Sequence, residues 1–350
     1  MKKRKNKKKK KIFVLFLLLV LALIGAYFLF NLDNKDVIDE IKKTTKKEPT
    51  LQIVDLSSTK RPVAVMINNH NQARPYHSGL QDAFVTYEII VEGGITRLMA
   101  VFKDQTTERI GSVRSSRHYF LDYALENDAI YVHYGWSPQA QSDMSALGVN
   151  NINGLYDDAF WRDLKLPVSY EHKAVTNMEK INNAISSKNY RTDYKSKNVK
   201  QELLFNYSSK EVNINENEDS MVANNVVIPY SNYMTSSYVY DATNKYYLRY
   251  ANGIEHKDYI TGLQYHYKNI IIIKVENYNI DSYGRQSLNN VGSGSGYYIT
   301  NGYARPITWQ KDSRSSKTIY KYNDGNEIKV NDGNTFIQIE PINQTPSITE

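Results

Sequence analysis

The N-terminus of this chain joins a dense basic stretch to a long uncharged segment, and this junction constrains the protein more than any other feature. Nine Lys and Arg side chains lie within residues 1–11, and the next nineteen residues carry no charge. A helix of that length, at about 1.5 Å per residue, is about 28 Å long and matches the hydrocarbon thickness of a bilayer. Since Lys and Arg are retained in the cytoplasm, we predict a cytoplasmic stub at residues 1–11, one transmembrane helix from Ile12 to Phe30, and an extracellular remainder.

A cleaved secretory signal peptide is the alternative interpretation of this segment. Such a peptide has a shorter apolar core followed by a small-x-small site, whereas this segment ends in Tyr27-Phe28-Leu29-Phe30 and offers only Gly25-Ala26 as a weak cleavage site. The sequence contains no cysteine, which excludes lipid attachment through cysteine, disulfides and thiolate metal sites. We therefore expect an uncleaved, single-pass anchor in the cell membrane.

The positive charge of the chain belongs to this N-terminus. The net charge of +7 falls to −2 once the nine N-terminal cations are set aside. Nucleic-acid binding requires a basic face on the folded domain, so we expect no nucleic acid as a partner. The 29 tyrosines most simply indicate β-structure, and they also offer faces on which sugar rings stack.

The predicted fold class is α+β, with a mixed α/β domain followed by a β-rich domain. An apolar run at 63–67 and β-type runs at 84–91 and 95–102 predict strands, the last two joined through a Gly-Gly turn. A helix is predicted at 115–126, and Ser137-Pro138 is typical of another helix start. Together with the stub and the helix, the predicted segments are a stalk (31–54), the α/β domain (55–190), a polar connection or insertion (191–219), the β-rich domain (220–341) and a tail (342–350).

The β-rich part contains about seven short apolar runs separated by turn signals, which predict a small sandwich or open barrel. Within it, Gly292-Ser293-Gly294-Ser295-Gly296 does not fit a nucleophile elbow, which needs serine at the centre. It does not fit a dinucleotide loop either, because a strand rather than a helix is predicted to follow. We interpret this segment as a loop between strands.

The densest group of charged and polar side chains lies between His70 and His133. Arg114-Ser115-Ser116-Arg117 opens a predicted helix, whose N-terminus has free N–H groups and a positive potential. Two guanidiniums beside it would receive a carboxylate or phosphate. The alternative is a structural network in which these arginines pair with glutamates. The predicted ligand-binding residues are Glu88, Glu92, Arg97, Arg114, Arg117 and His133.

The same residues leave an enzyme open as a second hypothesis. Two carboxylates hydrolyse glycosidic bonds when they are held roughly 5 to 9 Å apart, but Glu88 and Glu92 would be about 13 Å apart along one extended strand. His133 ends a predicted strand and is a candidate general base, with a structural, hydrogen-bonded histidine as the alternative. We expect binding rather than catalysis, with no cofactor and no metal.

Several motifs are characteristic enough to suggest a family. They include Arg61-Pro62-Val63-Ala64-Val65-Met66-Ile67-Asn68-Asn69, Val91-Glu92-Gly93-Gly94-Ile95-Thr96-Arg97 and Ile110-Gly111-Ser112-Val113-Arg114-Ser115-Ser116-Arg117, with Trp309-x-Lys311 in the second half. Over about residues 55–341 the chain resembles the YerB-like family of exported proteins of Gram-positive bacteria, a domain of unknown function. The resemblance implies an N-terminal and a C-terminal domain outside the cytoplasm. Many members carry a lipidated cysteine, which this chain lacks, and the family offers no catalytic residue to transfer.

The leading hypothesis is a membrane-anchored extracytoplasmic protein that binds a cell-envelope ligand or partner. An anionic wall polymer, peptidoglycan or an envelope protein would suit the arginines. The first alternative is a cell-wall hydrolase that uses Glu88, Glu92 or His133 as acid or base. The second is a non-catalytic scaffold for membrane enzymes.

Overall fold

A computed structural model describes residues 16–23, 26–27 and 50–350. Residues 51–350 form one compact unit. The predicted stub, much of the predicted transmembrane segment and nearly all of the stalk lie outside the described residues, and the described positions 16–23 and 26–27 are helical. Among the residues that are described, no helix is both long enough and apolar enough to span a bilayer.

Strands dominate the compact unit. In the first half, the strands are β1 (Val63–Asn68), β2 (Val85–Ile90), β3 (Thr96–Phe102), β4 (Ile110–Gly111), β5 (Ile130–His133), β6 (Asn151–Asn153), β7 (Phe160–Arg162), β8 (Ala174–Thr176) and β9 (Asn206–Ser208). In the second half, they are β10 (Met221–Val222), β11 (Asn225–Ser231), β12 (Met234–Asp241), β13 (Tyr246–Ala251), β14 (Ile254–Glu255), β15 (His266–Tyr267), β16 (Asn269–Val275), β17 (Asn277–Asn279), β18 (Gln286–Leu288), β19 (Gly292–Thr300), β20 (Tyr303–Lys311), β21 (Ile319–Tyr322), β22 (Lys329–Asn331), β23 (Thr335–Pro341) and β24 (Ser347–Thr349).

Helices are few and short. The α-helices of residues 50–350 are α1 (Phe120–Glu126), α2 (Pro138–Ala146), α3 (Met178–Ser187) and α4 (Val199–Glu202). Short 3-10 turns lie at Arg74–Tyr76, Leu80–Asp82, Glu92–Gly94 and Tyr170–His172. The expected α+β class is therefore observed, with mixed sheets and little helix.

One eleven-stranded sheet passes through both halves of the chain. Its order is β10-β20-β19-β16-β23-β2-β3-β1-β5-β6, and β21 pairs with β20. Strand β23 joins the two halves within the sheet, because it pairs in parallel with β2 on one side and with β16 on the other. A strand from near the C-terminus thus lies in the middle of the sheet, where it joins strands that are far apart in sequence.

Alternate residues of the central strands enter two separate cores. Met66 and Ile337 lie in a core that also contains side chains of α1 and α2. Val65 and Phe336 face the opposite way, into a core shared with α3 and with a second sheet of order β14-β13-β12-β11-β24, in which β15 pairs with β13. Because both faces are covered, the central strands are continuous apolar runs, as at residues 270–273.

Several predicted elements are confirmed by this arrangement. The apolar run at 63–67 is β1, and the runs at 84–91 and 95–102 are the antiparallel pair β2 and β3. Ser137 caps α2 by accepting a hydrogen bond from the Ala140 N–H. The segment 191–219, predicted as a polar connection or insertion, contains α4 and β9, and its Phe205 is buried in the same core as side chains of α1.

Three predictions differ from the structure. The predicted helix 115–126 begins only at Phe120, because residues 112–119 form a loop whose backbone bonds to neighbouring strands. The predicted loop 292–296 is the first part of β19, where a Cβ at Gly296 would overlap the Ile272 carbonyl. The C-terminal strands do not form a sandwich of their own, because they are divided between the central and the second sheet.

Candidate functional site

The candidate site lies at one edge of the central sheet, where several strands end together. Strands β1, β5 and β6 are parallel neighbours, and β2 runs in the same direction because both β1 and β2 are antiparallel to β3. The segments that follow β1, β2, β5 and β6 therefore meet at a single edge. In open sheets with parallel strands, ligands bind at this carboxyl edge.

The loop of residues 112–119 crosses this edge and is held by backbone hydrogen bonds. The Arg114 N–H donates to the Met66 carbonyl at 3.0 Å, and the Arg114 carbonyl accepts from the Tyr134 N–H at 3.0 Å. The Ser116 N–H donates to the Gly135 carbonyl at 2.9 Å. The loop is thus joined to the ends of both β1 and β5, which orients the arginine side chains at its surface.

Glu92, in the turn between β2 and β3, brings two arginines together. The Arg117 Nε donates to Glu92 Oε1 at 2.5 Å, and an Arg97 nitrogen lies 3.9 Å from Glu92 Oε2. Arg97 also donates to the Ser115 carbonyl at 2.7 Å. Burial and the neighbouring Arg117 lower the pKa of Arg97 to about 9. Although burial raises the pKa of Glu92, the two guanidiniums lower it overall, so this carboxylate is ionised at neutral pH.

Two further guanidiniums at this edge, those of Arg114 and Arg162, have no carboxylate oxygen within 4.0 Å among residues 50–350. Arg114 donates only a long bond of 3.3 Å to the Glu171 carbonyl. Its pKa is lowered by burial and by the neighbouring cations Arg117 and Arg162, although Glu171 raises it. We call Arg97, Arg114, Arg117 and Arg162 the arginine cluster.

Two histidines that were not among the predicted ligand-binding residues adjoin the cluster. The rings of His70 and His172 stack with centroids 4.7 Å apart. The Asn68 side-chain N–H donates to His172 Nδ1 at 2.7 Å, so that nitrogen carries no proton. Burial and the Arg114 charge lower the pKa of both rings. Arg162, His70 and His172 come from segments that only the fold brings together, and no local motif marks them.

Glu88 does not belong to the cluster. It is fully buried on β2 and pairs with the equally buried Arg249 of β13 at 2.8 Å. Asn69, Ser236 and Gln338 also donate to its carboxylate oxygens. The alternative interpretation, in which the predicted arginines pair with the glutamates, is thus observed for Glu92 with Arg97 and Arg117, whereas the partner of Glu88 is Arg249, which was not predicted.

The Glu88 network continues through two neutral histidines toward the sheet edge. Arg249 donates to His256 Nδ1 at 2.5 Å, so His256 Nε2 carries the proton that it donates to His77 Nδ1 at 2.8 Å. His77 Nε2 then donates to the Asn68 carbonyl at 2.7 Å. Burial lowers the pKa of His77 to about 3, and burial and the Arg249 charge lower the pKa of His256 well below its ordinary value. Asn68 therefore connects this buried network with the cluster through His172.

His133 is also separate from the ligand-facing side chains. His133 Nδ1 lies 2.8 Å from the Gly135 carbonyl oxygen, and Nε2 lies 3.2 Å from Asn151 Oδ1. Burial lowers its pKa to about 4, so the neutral ring has a single N–H, which the shorter distance assigns to the Gly135 carbonyl. The ring thus has a structural environment.

The side chains of Arg97 and Arg117 are only 9% and 12% exposed, whereas Arg114 and Arg162 are half-buried. A cavity of about 600 Å³ lies nearby, between α1, α2 and the β17–β18 region, but no member of the cluster and no atom of His133 lines it. Its polar lining is internally satisfied, since Arg314 bonds to both Asp122 and Asp143 at 2.6 Å.

With this α+β fold and this edge site, the chain belongs to the family described as “Protein of unknown function (DUF3048)”. The N-terminal domain of that family matches residues 50–191 and the C-terminal domain matches residues 226–337. The chain is 32% identical over 343 residues to “Putative lipoprotein YerB” of Bacillus subtilis (strain 168), covering 94% of this chain and 96% of that protein. A crystal structure of YerB from Bacillus subtilis superposes with a TM-score of 0.69 at 30% identity, covering 87% of this chain and 96% of that one. The predicted YerB-like membership is confirmed.

Proposed function

We propose that this protein is anchored in the membrane and binds an anionic polymer of the cell envelope at the arginine cluster. The observation that carries the proposal is the surplus of cations at the carboxyl edge of the sheet. Four guanidiniums lie there with two carboxylates, Glu92 and Glu171, and two of the four lack an acidic partner within the described chain.

Electrostatics supports an anionic ligand. The lowered pKa of Arg97 and of Arg114 reflects burial together with repulsion from the neighbouring arginines. A bound phosphate or carboxylate would relieve that repulsion and accept the planar fork of each guanidinium. A polymer with repeated charges would contact more than one arginine of the cluster at once.

The membrane anchor is part of the same proposal. The relative from Bacillus subtilis is described as a lipoprotein, whereas this chain has no cysteine to carry a lipid. We propose that the basic stub and the uncharged segment 12–30 take the place of a lipid as the membrane anchor. The stub lies in the cytoplasm and the folded unit lies outside.

Protease treatment of intact cells tests this orientation. We expect added protease to degrade the C-terminal unit of the full chain while cytoplasmic proteins stay intact, because the unit faces the exterior. Immunoblotting against a C-terminal tag measures the loss. Protection of the tag until the cells are permeabilised would contradict the extracellular location.

Substitution of two arginines tests the binding site. We expect the double variant Arg114→Ala with Arg117→Ala, studied as the full chain in nonionic detergent, to bind immobilised teichoic acid about 100-fold more weakly or worse. It loses at least two charge-assisted hydrogen bonds, which contribute about 1.5–3 kcal/mol each. Binding should also weaken as salt rises. Sedimentation with the polymer measures the affinity at several salt concentrations.

A matched control separates the site from general charge. Arg285 pairs with Asp281 at 2.8 Å in the turn between β17 and β18, so Arg285→Ala removes one cation elsewhere and should leave retention unchanged. A melting curve shows whether each variant is folded. If the folded double variant binds as tightly as the wild type, the cluster is not the site.

A further inference from the structure

Aromatic side chains continue the arginine cluster along the same sheet edge. Tyr134 and Trp136 follow β5, Tyr156 follows β6, and Tyr170 precedes β8. We call these four residues the aromatic strip. Tyr156 is 73% exposed and Tyr170 is 63% exposed. Large aromatic rings that remain in water beside a charged cluster mark an interaction surface more often than an inert one.

Arg162 holds two rings of the strip in fixed positions. Its guanidinium carbon lies 4.4 Å from the centroid of the Tyr134 ring and 4.4 Å from that of the Tyr170 ring. One guanidinium nitrogen donates to the Tyr170 carbonyl at 2.7 Å, while Nε is buried without a partner in the described part of the chain. Because cation–π contacts order these rings before any ligand arrives, binding to them costs little conformational entropy.

The second pair of rings extends the strip over the neighbouring loop. The rings of Trp136 and Tyr156 have centroids 5.9 Å apart at an interplanar angle of 44°. Leu155, also exposed, lies beside Gly135 in the same loop region. Leu155 and the Trp136–Tyr156 pair thus lie over the segments that follow β5 and β6.

Backbone contacts join the strip to the arginine cluster. The Tyr134 N–H donates to the Arg114 carbonyl at 3.0 Å, and an Arg114 side-chain nitrogen donates to the carbonyl of Glu171, the residue after Tyr170. A ligand that reaches Arg114 is thus next to the strip. The exposed Glu171 carboxylate also lies here, where it would accept hydrogen bonds from hydroxyl groups and repel a strongly anionic surface.

We infer that the strip binds pyranose rings, so that the ligand is an anionic glycan rather than a polyanion without sugars. This inference rests on the proposed function and names the ligand class of the same site. One face of a pyranose presents C–H groups that pack on aromatic rings, while its hydroxyls stay at the rim for polar groups. The carboxylates or phosphates of the glycan bind the arginine cluster.

Three soluble probes test the inference with the full chain in nonionic detergent. They are peptidoglycan glycan strands freed of stem peptides, which carry carboxylates, the same strands with those carboxylates amidated, and inorganic polyphosphate. The wild type should bind the carboxylated strands about 10-fold tighter than either other probe. In the variant Tyr156→Ala with Tyr170→Ala, binding of the strands should fall about 10-fold while polyphosphate binding is unchanged. Calorimetry or fluorescence anisotropy gives the affinities.

Tyr283 provides the matched control. It is 78% exposed and also has an arginine over its ring, Arg285 at 5.1 Å, but it lies in the turn between β17 and β18. Tyr283→Ala should leave all three affinities unchanged, and the melting temperature reports folding of each variant.

The outcomes separate the two proposals. Suppose that polyphosphate binds as tightly as the strands and that the folded tyrosine variant binds both with unchanged affinity. The strip then does not recognise sugar rings, although the proposal of an anion site is not contradicted. Tyrosine-dependent binding to vesicles of anionic phospholipid, without binding to the strands, would also overturn the glycan assignment in favour of a membrane surface. If Arg114→Ala with Arg117→Ala leaves every affinity unchanged, the proposed function itself fails.

Discussion

Replacing Arg249 with leucine is expected to lower the free energy of unfolding by about 3–5 kcal/mol, since removing one partner of a buried ion pair leaves the other charge uncompensated. Both members of the Arg249–Glu88 pair are 0% exposed. Glu88 would keep the hydrogen bonds from Asn69, Ser236 and Gln338, but these donors are neutral and do not cancel its charge. Urea denaturation monitored by tryptophan fluorescence measures the loss.

Two comparisons make this prediction specific. The double variant Arg249→Leu with Glu88→Gln should recover part of the lost stability, because it removes the buried charge altogether. Lys257→Leu serves as a control, because its pair with Glu255 is about half exposed on each side, and exposed pairs contribute little. If Arg249→Leu unfolds at the same urea concentration as the wild type, Glu88 is not a buried anion.

The two halves of the chain are expected not to fold separately, although the family is described as two domains. A fragment of residues 50–220 lacks β23, so the apolar strand β2 loses its hydrogen-bonding partner on one side and becomes an exposed edge strand. It also loses the two cations that neutralise its fully buried glutamates, Arg249 for Glu88 and Lys311 for Glu126. The second pair is 2.8 Å apart, and both of its side chains are 0% exposed. The fragment should show no cooperative thermal transition and should aggregate.

A protease-nicked protein is the natural control for the fragment. Cleavage within the segment 191–219 after folding should leave the halves associated, because the contacts of β23 with β2 and β16 do not depend on that connection. Size-exclusion chromatography of the nicked protein and calorimetry of the fragment check the two expectations. A fragment of residues 50–220 that melts cooperatively as a monomer would show that the shared sheet is dispensable.

Local sequence signals predicted the elements whose stability is local. The continuous apolar run at 63–67 identified β1, and Ser137-Pro138 marked the start of α2, because a capping hydroxyl and a proline act on their own helix turn. The helix predicted from Ser115 failed for the opposite reason. Residues 112–119 exchange backbone hydrogen bonds with β1, with β8 and with the residues that follow β5, so their partners lie outside the predicted helix.

The predicted site residues also include some that local sequence grouped correctly and others that it did not. The prediction grouped Glu92 with Arg97 and Arg117, and their contacts bring these three together because the β2–β3 turn and the following loop share one edge. Glu88 was grouped with them by proximity in sequence, but it lies inside the β2 strand and pairs with Arg249, 161 residues away. His133 ends β5 as expected, yet both of its ring nitrogens lie beside oxygen atoms of the protein.

The sequence alone determined the family, the α+β class, the concentration of charge at the N-terminus and the short strands, because these follow from composition, motifs and periodicity. The tertiary structure alone decided that β23 enters the centre of the sheet, that Arg249 neutralises Glu88, and that Arg162 and Tyr170 lie beside Arg114. These features depend on strand pairing and burial between distant segments. Hydrogen bonds and charges across such pairs leave no periodic signal in either segment alone.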